Sequence, residues 1–339
     1  MADISVVGAG SWGIALALLL HKNGHHVTVW SVIEAEIEML RTEREHKDKL
    51  PGVKLPEDME FTTDLQAAVT GRDLLVLAVP SPFTRSTSHN MAPYIQEGQL
   101  IINVAKGIEE KTLMTLSQII EDEIPQAEVA VLSGPSHAEE VGRGIPTTIV
   151  VGAKKKATAE YLQNIFMNEV FRVYISPDVL GIELGAALKN VVALAAGIAD
   201  GLGYGDNTKA ALITRGITEI ARLGVAMGGR FETFCGLTGI GDLIVTCASM
   251  HSRNRRAGIL IGKGYTMEQA MDEVKMVVEG VYSAKAAMGL SQKYGVQIPI
   301  IEQVNAVLFD SQPADEAVKN LMLRDKKIEN PLLPWEEAI

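Results

Sequence analysis

Cysteine is scarce in this 339-residue chain: there are two, Cys235 and Cys247, and neither belongs to a C-x-x-C pair. That excludes a disulfide framework and points to a reduced, cytoplasmic setting. Basic charge is also short. Lys and Arg number 31 against 42 Asp and Glu, a net charge of −11, so no broad cationic face exists and no nucleic-acid partner is expected. Long apolar runs are missing too. Ile14–Leu20 and Val191–Ala199 are far shorter than a bilayer requires, and Lys189 and Asp200 flank the second, so no membrane span is expected. The first residues lack a cationic stretch and carry Asp3, unlike a secretory leader. His137 and His251 stand apart from Asp, Glu or Cys at ligand spacing, so no metal site is expected.

What remains is an ordinary globular composition, 47% hydrophobic, in a chain long enough for two domains. Up to about residue 177 it reads as strand–helix units. ISVVGAG, HHVTVW, DLLVLAVP, LIINVAKG, EVAVLSG and TTIVVGA are short apolar or β-branched runs, and a helix from SWGIALALLL closes at Gly24. Continuous apolar strands alternating with helices predict a mostly parallel sheet covered on both faces. Beyond that point the pattern turns helical, over 178–200, 206–227, 242–250, 267–274, 280–294, 298–309 and 314–322. The expected fold is α/β: a Rossmann-like, doubly wound N-terminal domain (1–180), an all-helical C-terminal domain (181–330) and a tail (331–339) without periodicity.

Gly8, Gly10 and Gly13 spell G-x-G-x-x-G between a strand and a helix. The spacing serves a tight turn, close backbone approach to a pyrophosphate, and helix–strand packing. The plainer alternative is a turn needing glycine only for its backbone. The acid that would meet the adenosine ribose belongs near the end of the second strand, where Ser31 stands and Glu34 comes slightly late. Lys189 has Gly185, Ala186, Val192 and Ala193 as its neighbours three and four positions away, all small or apolar. An amine in such a groove is partly desolvated and suited to proton transfer, unless it snorkels to the surface. Lys106 follows a strand at the carboxyl edge of the sheet, where ligands bind in open α/β folds. Ser136 and Glu139 fit a capping box, S-x-x-E, at a helix start that could also hold an anion. Asp242 follows the glycine-rich GLTGIG, with Thr246 one turn later, and reads either as an N-cap or as a site acid. HSRNRR at 251–256 gathers three arginines, a surface helix or a phosphate clamp.

In order and spacing, GAGSWG, LAVPS, NVAKGIE, LSGPSHAEEV, GAALKNVVALAAGIADGLGYGDNTKAALI, GLTGIGDLIVTC, HSRNR and VVEG resemble the NAD(P)-dependent sn-glycerol-3-phosphate dehydrogenases, through about Glu329. The resemblance implies NAD(H) or NADP(H) as cofactor and reduction of dihydroxyacetone phosphate to sn-glycerol 3-phosphate for phospholipid synthesis. By the same resemblance Gly8, Gly10, Ser11, Trp12 and Gly13 form the cofactor turn, and Ala138, Val277 and Glu279 lie near the cofactor. Lys106 touches both ligands, and Gly134, Ser136 and Asn190 line the substrate. Lys189 is the catalytic acid/base, with Asp242 and Thr246 beside it. Ser252, Arg253 and Asn254 hold the substrate phosphate, Arg253 also reaching the cofactor. WSVI at 30–33 departs from the arginine that many bacterial members carry there, which puts NADPH preference in question. Two other readings stand beside this one: a related two-domain dehydrogenase of a hydroxyacid or acyl thioester, and a non-catalytic NAD(H)-binding redox sensor, for which no DNA- or partner-binding module is visible. A homodimer is left open.

Overall fold

The computed structural model describes residues 1–329 and Trp335, so the expected tail at 331–339 lies outside the described residues except for that tryptophan. The chain opens as alternating strands and helices: β1 (Asp3–Val7), α1 (Ser11–Lys22), β2 (His26–Trp30), α2 (Glu34–Glu43), β3 (Glu60–Thr62), α3 (Leu65–Val69), β4 (Leu74–Leu77), α4 (Thr84–Met91) and β5 (Leu100–Asn103). There follow α5 (Leu116–Glu123), β6 (Glu128–Ser133), α6 (Ala138–Gly142), β7 (Thr147–Ala153), α7 (Lys156–Phe166) and β8 (Phe171–Ser176). The eight strands form one sheet in the order β3-β2-β1-β4-β5-β6-β7-β8, parallel throughout except where β7 runs against β6. The order reverses between β1 and β4, the position at which doubly wound sheets open a crevice for ligands.

Period-two alternation sends side chains to both faces. Ile4, Val6, Leu74 and Val76 join one buried cluster, while Val7, Leu75 and Leu77 join a second. Helices cover each, which is why the strands read as unbroken apolar runs. Two strands went unread in the sequence. β3 is three residues long, too short for a period, and β8 leaves Arg172 and Tyr174 exposed as an edge strand.

From α8 onward the chain is helical: α8 (Val179–Gly201), α9 (Asp206–Ala226), α10 (Phe231–Phe234), a π-turn at Leu237–Gly241, α11 (Asp242–Ala248), α12 (Arg253–Gly262), α13 (Met267–Val274), α14 (Glu279–Tyr294), α15 (Pro299–Phe309) and α16 (Ala314–Met322). In α8, 20 of 23 residues are buried, so this helix is the axis around which the others pack. It matches the helical pattern read over 178–200. With a mean hydropathy of 1.6 it could cross a bilayer by length and composition, as could the interrupted Phe231–Ala248 stretch, but α8 is a core helix covered by protein.

Glycines let the helices approach α8. A Cβ on Gly197 would collide with the Arg255 carbonyl oxygen and lie 2.9 Å from Gly258 Cα, while one on Gly258 would collide with the Leu194 carbonyl oxygen. α12 therefore lies backbone to backbone against α8, and its first residues are fixed relative to Lys189 and Asn190. Gly197→Ala is expected to destabilise the protein by about 1–3 kcal/mol through overpacking. Gly10→Ala, whose Cβ would meet nothing within 4 Å, should stay within about 0.5 kcal/mol of the parent. Denaturant unfolding of the two variants checks both values, and equal stabilities would refute the packing argument.

Candidate active site

The three glycines of the first turn have separate causes. Gly8, at φ +125°, brings its Cα so close to the chain after β4 that a Cβ would sit 2.8 Å from the Ala78 carbonyl group. A Cβ on Gly13 would collide with the Gly8 carbonyl oxygen. The fold itself demands both. Gly10 is different: it has ordinary backbone angles, φ −70° and ψ 171°, and faces open space. Its bareness serves no protein neighbour, and α1 begins at the next residue with free N–H groups. A cradle that a Cβ would fill, at a helix start beside the strand-order reversal, fits a dinucleotide pyrophosphate. Ser11 and Trp12 are part-buried in the first turn of α1.

Just past β2 the acid that Ser31 contacts is Glu36, not Glu34. Glu34 is exposed at the start of α2, whereas Glu36 accepts a hydrogen bond from Ser31 Oγ (2.8 Å) and pairs with Lys49, with His46 close by. Burial works against its charge, but His46, Lys49 and Ser31 hold its carboxyl down at about 2. The turn Val32–Ile33 hides this contact from sequence spacing.

Across the crevice, one carboxylate gathers two amines. Asp242 Oδ2 accepts from Lys106 Nζ (2.6 Å), and its Oδ1 lies 2.8 Å from Lys189 Nζ. Lys189 also donates to Thr246 Oγ1 (2.5 Å), whose hydroxyl donates to the Asp242 carbonyl oxygen (2.6 Å). Lys189 is 5% exposed and Asp242 1%, so the snorkelling and N-cap readings both fall. Lys106 comes from the loop after β5 and also donates to Gly134 O (3.1 Å) at the end of β6. Burial lowers the Lys189 ammonium to about 8, with Lys106 adding to the shift and Asp242 opposing it. Burial alone would raise the Asp242 carboxyl, but the two ammoniums outweigh it and hold it below the usual range. Two cations face one anion here, so the cluster is left with excess positive charge.

The second half of the site hangs on α12. Ser252 caps it, accepting from Arg255 N (3.2 Å). Arg253 spends one donor on Val277 O (3.0 Å) and makes no ion pair among the described residues, though burial lowers its pKa. The other two arginines of HSRNRR do not converge on the site: Arg255 is paired with Asp200 (2.8 Å) and Arg256 is exposed. Asn254 donates to Asn190 Oδ1 (3.0 Å) and accepts from Gly280 N (2.8 Å), joining α12, α8 and the start of α14. Glu279 reaches the other domain, accepting from Ser81 N (3.1 Å) and from Ser81 Oγ. The expected capping box does not form. His137 is the N-cap of α6 without a side-chain bond, Ala138 is the first residue of that helix, and Ser136 Oγ turns back to Gly134 O (3.0 Å). Local spacing lost to the fold, because the chain bends back at Gly134, at φ +149°.

Comparison with known proteins agrees with this geometry. Residues 3–159 match the NAD-dependent glycerol-3-phosphate dehydrogenase N-terminus and residues 178–319 its C-terminus. A glycerol-3-phosphate dehydrogenase [NAD(P)+] of Agathobacter rectalis is 66% identical over 99% of this chain and 100% of that one. The enzyme of the same name in Fusobacterium nucleatum is 64% identical over 97% and 99%. The crystal structure of a Coxiella burnetii glycerol-3-phosphate dehydrogenase superposes with a TM-score of 0.92, at 36% identity over 95% of this chain and 99% of that one. A Ralstonia eutropha ketopantoate reductase shares the fold alone, at 16% identity and a TM-score of 0.61. With both halves matched and close relatives covered end to end, the chain belongs to the NAD-dependent glycerol-3-phosphate dehydrogenase family.

Proposed function

We propose that the protein reduces dihydroxyacetone phosphate to sn-glycerol 3-phosphate with NADH or NADPH, reversibly, as a supply for glycerophospholipid synthesis in the cytoplasm. One observation carries the reading: a buried lysine, Lys189, on a shared aspartate in a site with uncompensated positive charge. A phosphorylated ketone brings the missing anion and the oxygen that Lys189 protonates. Neither alternative reading has a comparable observation behind it.

With its pyrophosphate at the α1 turn, the bound reduced cofactor would supply a hydride for the ketone carbon. Ser11 and Trp12, with Gly10 bare between strand and helix, hold the pyrophosphate; Ala138, Val277 and Glu279 flank the cofactor. Arg253, Ser252 and Asn254 hold the substrate phosphate, with Gly134, Ser136 and Asn190 along the substrate. Arg253 is suited to the task because, among the described residues, most of its fork is unspent. As negative charge develops on the C2 oxygen, the Lys189 and Lys106 ammoniums stabilise it in a dry site. Lys189 then donates its proton to that oxygen, completing the alcohol. Asp242 and Thr246 aim the amine by fixing its other donors. The reverse reaction needs the same amine free, to take the proton back.

The proton's place is testable. Lys189→Met matches the length and suits an apolar groove, so cofactor binding should survive. Turnover should fall by roughly 10²–10⁴-fold, the usual cost of losing a general acid. Because the ammonium drives reduction, kcat/KM for dihydroxyacetone phosphate should decline as pH rises past about 8. For oxidation of glycerol 3-phosphate, kcat/KM should decline as pH falls below it. Both inflections should vanish in Lys189→Met; a variant with normal kcat would move the proton donor elsewhere.

Gly10→Val places a side chain where only the cofactor needs room. Titration should show a folded protein that no longer binds NADH or NADPH, and unchanged affinity would refute the cradle. Arg253→Ala should raise KM for dihydroxyacetone phosphate, with a loss of about 2–5 kcal/mol in kcat/KM. Kinetics that barely move would reduce it to a structural contact with Val277. No arginine stands at 31–33 and Lys49 is engaged by Glu36, so NADH should serve at least as well as NADPH. A hundredfold preference for NADPH, about 2.7 kcal/mol, would assign the 2′-phosphate to other groups.

A further inference from the structure

α8 buries one acid that the reaction above does not use. Glu183 is 6% exposed, and burial pushes its carboxyl upward against hydrogen bonds from Ser117, Thr115 and Asn103. A carboxylate so enclosed is costly unless its partners need it. Ser117 gives it both its backbone N–H (2.9 Å to Oε1) and its hydroxyl (2.5 Å to Oε2). Asn103 Nδ2 points to the same Oε1 at 3.4 Å.

The positions of these partners matter more than their number. Asn103 is the last residue of β5, and Ser117 lies in the first turn of α5. Between them runs the loop that carries Lys106. Both ends of that loop are therefore fastened to a single side chain of α8. Asn103 also folds the start of the loop, donating to Ala105 O (3.1 Å) and accepting from Ala105 N (3.2 Å), one residue before Lys106. Six residues along the same helix is Lys189, which meets Lys106 across Asp242. α8 is also joined to the sheet by an apolar cluster of Val131, Val150, Val179 and Ile182.

We propose that Glu183 is a positioning residue: by holding both ends of the Lys106 loop against α8, it sets the distance between the Lys106 and Lys189 ammoniums. The proposal rests on Lys106 acting on the substrate, as in the proposed function.

Steady-state kinetics with dihydroxyacetone phosphate and NADH test it in the full-length chain, at a temperature where melting curves show each variant folded. Glu183→Ala should raise KM for dihydroxyacetone phosphate and lower kcat/KM by roughly tenfold to a hundredfold, the usual cost of a misplaced contact. Glu183→Gln keeps an acceptor for Ser117 N and can donate to Ser117 Oγ, so it should restore kinetics close to the parent. In a Lys106→Ala background, Glu183→Ala should cause no further loss. A lower melting temperature with unchanged KM and kcat, or a full additional loss in the Lys106→Ala background, would overturn the proposal. Should Glu183→Ala fail to fold, Ser117→Ala loosens one end of the loop, removing the hydroxyl bond to Glu183 and leaving the backbone N–H bond. A raised KM that disappears in the Lys106→Ala background supports the assignment, and an unchanged KM overturns it. Lys106→Ala with parental kinetics would instead overturn the functional reading of Lys106, and this inference with it.

Discussion

Asp242 is the joint on which both halves of the protein bear. Its carboxylate takes Lys106 from a loop of the sheet and Lys189 from the central helix, within 2.8 Å of each. Removing it would leave two buried or half-buried ammoniums facing each other, a worse state than a lost hydrogen bond. The π-turn at Leu237–Gly241 has its place here. It crowds five residues into the approach to α11 and lets the backbone come close to α8, where a Cβ on Gly185 would lie 2.7 Å from the Thr238 carbonyl oxygen. That closeness delivers Asp242 to Lys189, and π-turns are frequent at sites where a side chain must be re-aimed.

A shared carboxylate of this kind requires a rigid neighbour, and α8 provides it. Its buried polar residues, Glu183, Lys189 and Asn190, project in a helix otherwise built, up to Asp200 near its end, from Ala, Gly, Leu, Val and Ile. Each is matched by partners from a different element: α5 and the end of β5, α11, and α12. Glycine contacts with α12 and α14 then keep those elements from drifting. A Cβ on Gly280 would lie 2.6 Å from the Asn190 carbonyl oxygen, so the start of α14 is pinned beside the very residue that Asn254 contacts. Packing density and site geometry are here the same fact.

Much of this could be read in the sequence, for a definite reason. Lys189 betrays itself because its helix-face neighbours are apolar, a local signal. The same test applies to Glu183, which has Val179, Leu180, Ala186 and Ala187 around it. Gly8 and Gly13 could be separated from Gly10 only with the backbone in place, since all three fit one motif. Long-range pairings left no local trace: Lys106 and Asp242 lie 136 residues apart. Spacing also misled. Ser136 and Glu139 have the letters of a capping box, but the chain turns back at Gly134 and the cap falls to His137. Among the arginines of HSRNRR, two positions along a helix is more than half a turn, which sends Arg255 to Asp200 while Arg253 stays at the site.

The electrostatics explain why such a site tolerates a lysine with a lowered pKa. Lys189 sits at about 8 because desolvation and the Lys106 charge outweigh Asp242. On the proposed function, substrate binding brings a phosphate dianion into the same enclosure, beside an Arg253 that makes no ion pair among the described residues. Added negative charge favours the ammonium, so the pKa of Lys189 rises as the substrate enters, and the proton is most firmly held when the ketone is in place. Transfer of that proton then accompanies the growth of charge on the ketone oxygen, the only nearby acceptor whose basicity increases during the step. An aspartate alone could not produce this timing. It is the second ammonium, Lys106, that leaves the cluster positively charged and makes the lysine responsive to an anionic ligand.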